Sequence, residues 1–198
     1  MRSVPAGSYA RICDVATLWQ AWLQVRSGKR RGATMASFDL DADRYLFALS
    51  RALIDGSYRP GPYALRAIQD PKRRLIAAPC VADRVLHRAL LDDIGPTYQR
   101  SYLPQCYTRG AGAGVHQAVI AYLGNLRRYR WRCHLDIAGY FPSLPLARLE
   151  ALLFHRLADP RTRALITRLL NVGARVYRTH PARDLLGPPH AGRTGLPL

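Results

Sequence analysis

Asp136 stands between an apolar run and two aromatic rings in the segment WRCHLDIAGYFPSLP, residues 131–145. A carboxylate so placed could hold a divalent cation against a nucleoside triphosphate, because Mg2+ takes hard oxygen ligands and shares its shell with phosphates. In two-ion phosphoryl transfer such cations stabilise the attacking and leaving oxygens. The same side chain also reads as a solvated strand-end aspartate, or as one paired with a nearby arginine. A second group is cationic. Lys72, Arg73 and Arg74 follow Asp70-Pro71, a turn-forming pair, and a basic turn either clamps phosphate or stands solvated. A third is the loop RGAGAG, residues 109–114. A glycine loop at a helix start can cradle phosphate on backbone N–H groups. This one lacks the Lys-Ser/Thr of a P-loop, which leaves a connector or a nucleic-acid contact.

Other reactive residues read as structural. Asp92-Asp93 falls in a helical pattern and is expected on a helix face or in its last turn. Cys13, Cys80, Cys106 and Cys133 form no CxxC pair, so neither zinc nor a disulfide framework is indicated, and four buried thiols in a reducing compartment are expected. The histidines show no HxxxH or HxxH spacing, and His87 and His116 are expected to be structural. Tyr98, Tyr102, Tyr107, Tyr122, Tyr129 and Tyr140 have arginines between them, and bases of a single strand could stack on such rings. Tyr122 belongs to an apolar helix stripe and is expected in the core.

These groups need elements to place them. Trp131, Cys133, Leu135 and Ile137 alternate with Arg132, His134 and Asp136, as in a half-buried strand. YALRAI (63–68) and RLIAAP (74–79) flank the basic turn as a hairpin. Residues 14–27 form a helix pattern with Asp14 as cap and Val15, Leu18, Trp19, Trp22 and Val25 as one stripe. Further helices are expected over 41–55, ended by Gly56, over 81–94, and from Val115, whose stripe continues through Ala118, Val119, Tyr122, Leu123 and Leu126. Two more follow the strand, one marked by Leu146, Leu149, Leu152 and Leu153. The other runs from Asp159 and Pro160 to Gly173, and ARVYRT (174–179) is a short strand candidate. The order is helices, hairpin, helices, strand, helices, an α+β class rather than a regular βαβ alternation.

The 198 residues suffice for one medium domain or two small ones. Thirty Lys and Arg against thirteen Asp and Glu give a net charge of +17, which attracts polyanions, nucleic acid above all. The arginine, alanine and leucine bias would also follow from a GC-rich genome. No apolar run approaches the roughly 20 residues of a membrane span, and MRSVPAGSYA lacks a signal peptide's apolar centre. No membrane contact and a cytoplasmic location are expected.

HLDIAGYFPSLP (134–145) resembles the first palm motif of reverse transcriptases: an apolar residue, Asp, Ile, two variable residues, two aromatics, then Ser and commonly an acid where Pro145 stands. DPKRRLIAAPCVADRVLHRALLDDIGPTYQRSYL, from residue 70, resembles the family's finger motifs. CYTRGAGAGVH, from residue 106, is similar to the loop that follows them, although Gly110 and Ala113 replace its usual Arg and Lys and Arg109 lies one position off. GLPL, at 195–198, looks like the start of the next palm motif. The matches run collinearly over about residues 58–198, in the manner of bacterial retroelement enzymes of the diversity-generating and group II intron kinds.

The resemblance implies an N-terminal helical extension (1–35), fingers (36–131) and a partial palm (132–198) of a right-hand polymerase. It implies RNA-directed DNA synthesis with two Mg2+ ions, an RNA template, a DNA or RNA primer, deoxynucleotides and a retroelement accessory protein as possible partner. Asp136 would be the first metal-binding carboxylate, helped by the Ile137 carbonyl. Lys72 and Arg74 would contact the triphosphate, and Phe141 would sit under the sugar. Arg73, Arg109 and Tyr107 would touch nucleic acid. The family also needs an aromatic-x-Asp-Asp hairpin and a thumb. After Asp136 the acids are Glu150, Asp159 and Asp184, none adjacent, so a C-terminally truncated, inactive fragment is expected, or else an RNA-binding module derived from the fold.

Overall fold

The computed structural model describes residues 3–27, 32–69, 73–108, 114–135, 137 and 144–179. They form a mixed α+β structure, mostly helical, with one two-stranded antiparallel sheet. Four helices come first: α1 (Ser8–Cys13), α2 (Val15–Arg26), α3 (Ala33–Leu40) and α4 (Ala42–Ile54). The hairpin β1 (Tyr63–Gln69) and β2 (Arg73–Pro79) leads into the long α5 (Val81–Gln99). Then come α6 (Val115–Arg128), α7 (Leu146–Phe154) and α8 (Pro160–Thr179).

Local chemistry sets the ends. The Asp14 carboxylate accepts from Thr17 N–H at 3.0 Å and opens α2 as the expected cap. Gly56, at φ 77°, takes the left-handed backbone that stops α4. Asp159 accepts from the N–H of Arg161 and the hydroxyl of Thr162 and opens α8, with Pro160 in its first turn. The Arg163 guanidinium satisfies the Phe154 and Leu157 carbonyls at the end of α7, at 2.8 and 2.5 Å.

One core joins all three segments expected from the resemblance. Ile12, Leu18, Trp22, Leu46, Leu53, Val85, Leu86, Leu165 and Leu169 pack together from α1, α2, α4, α5 and α8. The Trp22 ring meets Phe38 at 4.7 Å between centroids, and Phe38 stacks on Tyr45. A second cluster, Val4, Ile94, Leu157 and Ile166, closes the far end of α5 against α8. In the hairpin, Tyr63 lies opposite Pro79 and Gln69 opposite Arg73; the expected turn residues 70–72 lie outside the described residues.

Several expectations are corrected. Residues 131–135 are not in a strand; Trp131, Cys133 and Leu135 are all exposed, Leu135 at 86%. A strand needs a ladder partner for its N–H and C=O groups, and among the described residues β1 and β2 pair only with each other. Residues 174–179 are helical, because Gly173 and Ala174 are buried in the continuing α8. The core claims them, and an interior glycine costs only about 1 kcal/mol. Tyr122 is 49% exposed, as no described element buries the α6 stripe, and Trp19 is exposed beside the buried Trp22. Of the thiols only Cys13 is buried, while Cys133 is exposed. Helices α1 and α3 were not expected; both are short, and their few apolar residues give no clear period.

Candidate nucleic-acid interface

The hairpin places Arg73 opposite Gln69 and Arg74 opposite Ile68, at the turn end of β2. Lys72 lies outside the described residues. The hairpin's root is held by a carboxylate to which the sequence reading gave no role. Asp83, 2% exposed in the first turn of α5, accepts from the Tyr58 hydroxyl and the Gly61 N–H, both at 2.8 Å. Arg168 on α8 donates to the Tyr58 carbonyl at 2.7 Å. Gly61 is needed for closeness: a Cβ there would lie 2.7 Å from Cys80 Sγ. Burial, and next the Asp83 carboxylate, push the Tyr58 phenol well up. Burial also raises the Cys80 thiol. One helical turn along, burial lowers His87 more than the Asp83 charge raises it. The signal for this node was an acid three residues into a helix, just after a Tyr-Arg-Pro-Gly-Pro link.

Asp92 and Asp93 do not act as a pair. Asp92 binds Arg88 one turn back on α5, at 2.7 Å, whereas Asp93 binds Arg11 at 2.6 Å and the buried Ser8 hydroxyl. Both carboxylates are therefore spent on structural ties, as a helix-face reading requires.

Beyond α5 the surface is apolar and cationic. Helix α6 buries none of its residues. Arg127 and Arg128 close it, and the exposed Tyr129, Arg130, Trp131 and Arg132 follow. The Arg128 guanidinium sits 5.7 Å from the Tyr129 ring centre, and that of Arg130 5.9 Å from the Trp131 ring. Ile137 is 65% exposed. Asp136, Phe141 and Arg109 lie outside the described residues. Tyr107 is half-buried, Tyr102 is exposed, and Tyr98 is structural, donating to the Leu153 carbonyl at 2.5 Å. Near Tyr107, the hydrogen bond between Cys106 and Thr108 lowers the thiol's pKa.

A cleft of about 670 Å3 lies elsewhere, lined by Tyr9, Cys13, Asp14, Ser50, Asp159 and Arg161 among others. Its polar groups are engaged: Asp14 and Asp159 cap helices, and Ser50 donates to the Cys13 carbonyl at 2.6 Å. Burial pushes the Cys13 thiol up to about 11, so it is no nucleophile at neutral pH. None of the sequence-derived site residues lines this cleft. Among the described residues no group of three or more His, Cys, Asp or Glu comes together as a metal site, and no helix is long and apolar enough to cross a membrane. The chain matches no family model and no curated protein.

Proposed function

We propose that the chain supplies the fingers and the first palm segment of an RNA-directed DNA polymerase of the reverse transcriptase kind. The observation that carries this reading is the order of four motifs along about residues 58–198. A hairpin whose strands flank residues 70–72, rooted on the start of a long helix, supports it.

In this reading Lys72 and Arg74 hold the triphosphate of an incoming deoxynucleotide, where paired cations bind phosphate oxygens by charge-assisted hydrogen bonds. Phe141 lies under the sugar and leaves no room for a 2′-hydroxyl. Arg73, Arg109 and Tyr107 contact the template or primer. The Asp136 carboxylate and the Ile137 carbonyl are hard oxygen donors of the kind Mg2+ takes, and they fill only part of its shell. Bound Mg2+ would supply activation of the primer 3′-hydroxyl and neutralise the departing pyrophosphate. Within this sequence Asp159 is consumed as a helix cap.

The test is primer extension in a complete relative carrying the same segment. Alanine at the position of Asp136 abolishes polymerisation and leaves template binding nearly unchanged; synthesis above a metal-free control refutes the role. The 198-residue chain alone should bind primer–template without extending it.

A second reading, a non-enzymatic RNA-binding module, is favoured by a different observation. Among the described residues, neither core cluster includes any between 99 and 153. This reading expects RNA binding that falls steeply with salt and is indifferent to Asp136 in every complex.

A further inference from the structure

We propose that residues 127–132, RRYRWR, form a ribbon that binds single-stranded RNA by stacking bases on Tyr129 and Trp131 and holding phosphates with Arg127, Arg128, Arg130 and Arg132. The RNA identity rests on the reading above; the ribbon's chemistry rests on its own observations. First, the rings are available. Tyr129 is 58% exposed and Trp131 85% exposed, far outside the pattern for large rings in a folded chain. Second, the ribbon itself carries no acid. Between Asp93 and Asp136 the sequence holds no acidic residue, and none of these four arginines makes an ion pair among the described residues. Third, ring and guanidinium are already adjacent, at 5.7 Å for Arg128 on Tyr129 and 5.9 Å for Arg130 on Trp131.

A ring face beside a guanidinium offers two contacts at each step, a base on the ring and a phosphate on the N–H fork. The occupant is single-stranded because duplex bases already stack on one another and leave no face for Tyr129 or Trp131. Charge complementarity selects a polyanion: four guanidinium groups stand within six residues. The ribbon ends four residues before Asp136 in the sequence.

The test uses the full chain in EDTA without deoxynucleotides, with a twelve-nucleotide oligouridylate as probe. Binding should quench the emission of Trp131; Trp22 is buried, and Trp19→Phe removes the remaining exposed indole. Read by fluorescence anisotropy of a dye-labelled probe, Trp131→Ala should weaken binding about 5- to 150-fold, the span that one stacked base is worth, and Trp131→Phe should recover most of it. In salt titrations, Arg130→Gln with Arg132→Gln should lower the slope by about 1.4, at ~0.7 per lost phosphate contact. Arg44→Gln with Arg51→Gln, which removes the same charge from α4, should leave the slope unchanged. The proposal is overturned by unquenched Trp131, by equal slopes for the two double variants, or by equally tight binding of a twelve-pair duplex RNA. Because neither metal nor synthesis enters, a negative result leaves the role of Asp136 standing, and failure of the Asp136 test leaves the ribbon standing.

Discussion

Replacing Asp83 with alanine should release the hairpin from α5. The carboxylate is nearly inaccessible and accepts two hydrogen bonds at 2.8 Å. Its removal strands the Tyr58 hydroxyl, which is buried and donates to Asp83, at about 1–3 kcal/mol. The Gly61 N–H is only half-buried, so water can take it over and its loss costs about 1 kcal/mol. Relief of the buried charge offsets part of this. A net loss of about 2–3 kcal/mol follows, a large share of the roughly 5–15 kcal/mol that holds a domain folded. Tyr58→Phe alone should cost about 1–2 kcal/mol. The double variant should lose less than the sum, with a coupling of about 1 kcal/mol, since both changes remove one bond. Urea unfolding followed by circular dichroism measures this, with the slope m unchanged. Hydrogen exchange should rise at residues 63–79 before it rises in α2 or α4. A loss below about 0.5 kcal/mol for Asp83→Ala, or strict additivity with Tyr58→Phe, would refute the reasoning.

Gly61→Ala should destabilise by about 1–3 kcal/mol, since its Cβ would lie 2.7 Å from Cys80 Sγ. Cys80→Ala in the same chain should restore part of that in the same urea assay. Asp93→Ala should cost about 1–3 kcal/mol, chiefly by stranding the buried Ser8 hydroxyl, since Arg11 is exposed and keeps the Ala6 carbonyl. Asp92→Ala, which breaks an exposed i,i+4 pair, should stay within about 0.5 kcal/mol; equal effects would contradict the helix-face assignment. Acid should weaken the fold through His87, whose burial sets its folded pKa below the unfolded 6.5. Between those two values the unfolded chain binds more protons, so stability rises with pH. The contribution is present above pH 6.5 and is lost as pH falls toward the folded value. Melting temperatures at pH 7.5 and 5.5 should therefore drop less for His87→Gln than for the unaltered chain.

The parts of the fold that were legible in the sequence are those with a local cause. A cap, a stop and an apolar period identified α2, α4, α5, α6, α7 and the start of α8, and Asp-Pro-Lys between two apolar runs identified the hairpin. What failed depended on partners distant in sequence. Alternation in 131–137 marks a surface able to pair, and pairing needs a neighbouring strand, which alternation does not provide. The α6 stripe has a helix's period, yet period does not decide whether another element arrives to cover it. Asp83 escaped notice for the opposite reason. Its motif was visible, but its value lies in Tyr58 and Gly61, more than twenty residues upstream.

The distribution of acids and cations ties the two halves of the molecule together. Asp14, Asp39, Asp55, Asp83, Asp92, Asp93 and Asp159 each accept a hydrogen bond or ion pair that caps a helix, holds a turn or joins two elements. With thirteen acids for thirty Lys and Arg, most of the negative charge is thus committed inside the helical half. Among the described residues Arg127, Arg128, Arg130 and Arg132 make no ion pair, and Asp136 is the sole acid between Asp93 and Glu150. A surface built this way repels itself until a polyanion arrives. Its stability should therefore rise when single-stranded RNA is added, by mass action on the folded state. That gain should shrink with salt at the slope the ribbon's arginines set, which links the energetics of the fold to the chemistry proposed for it.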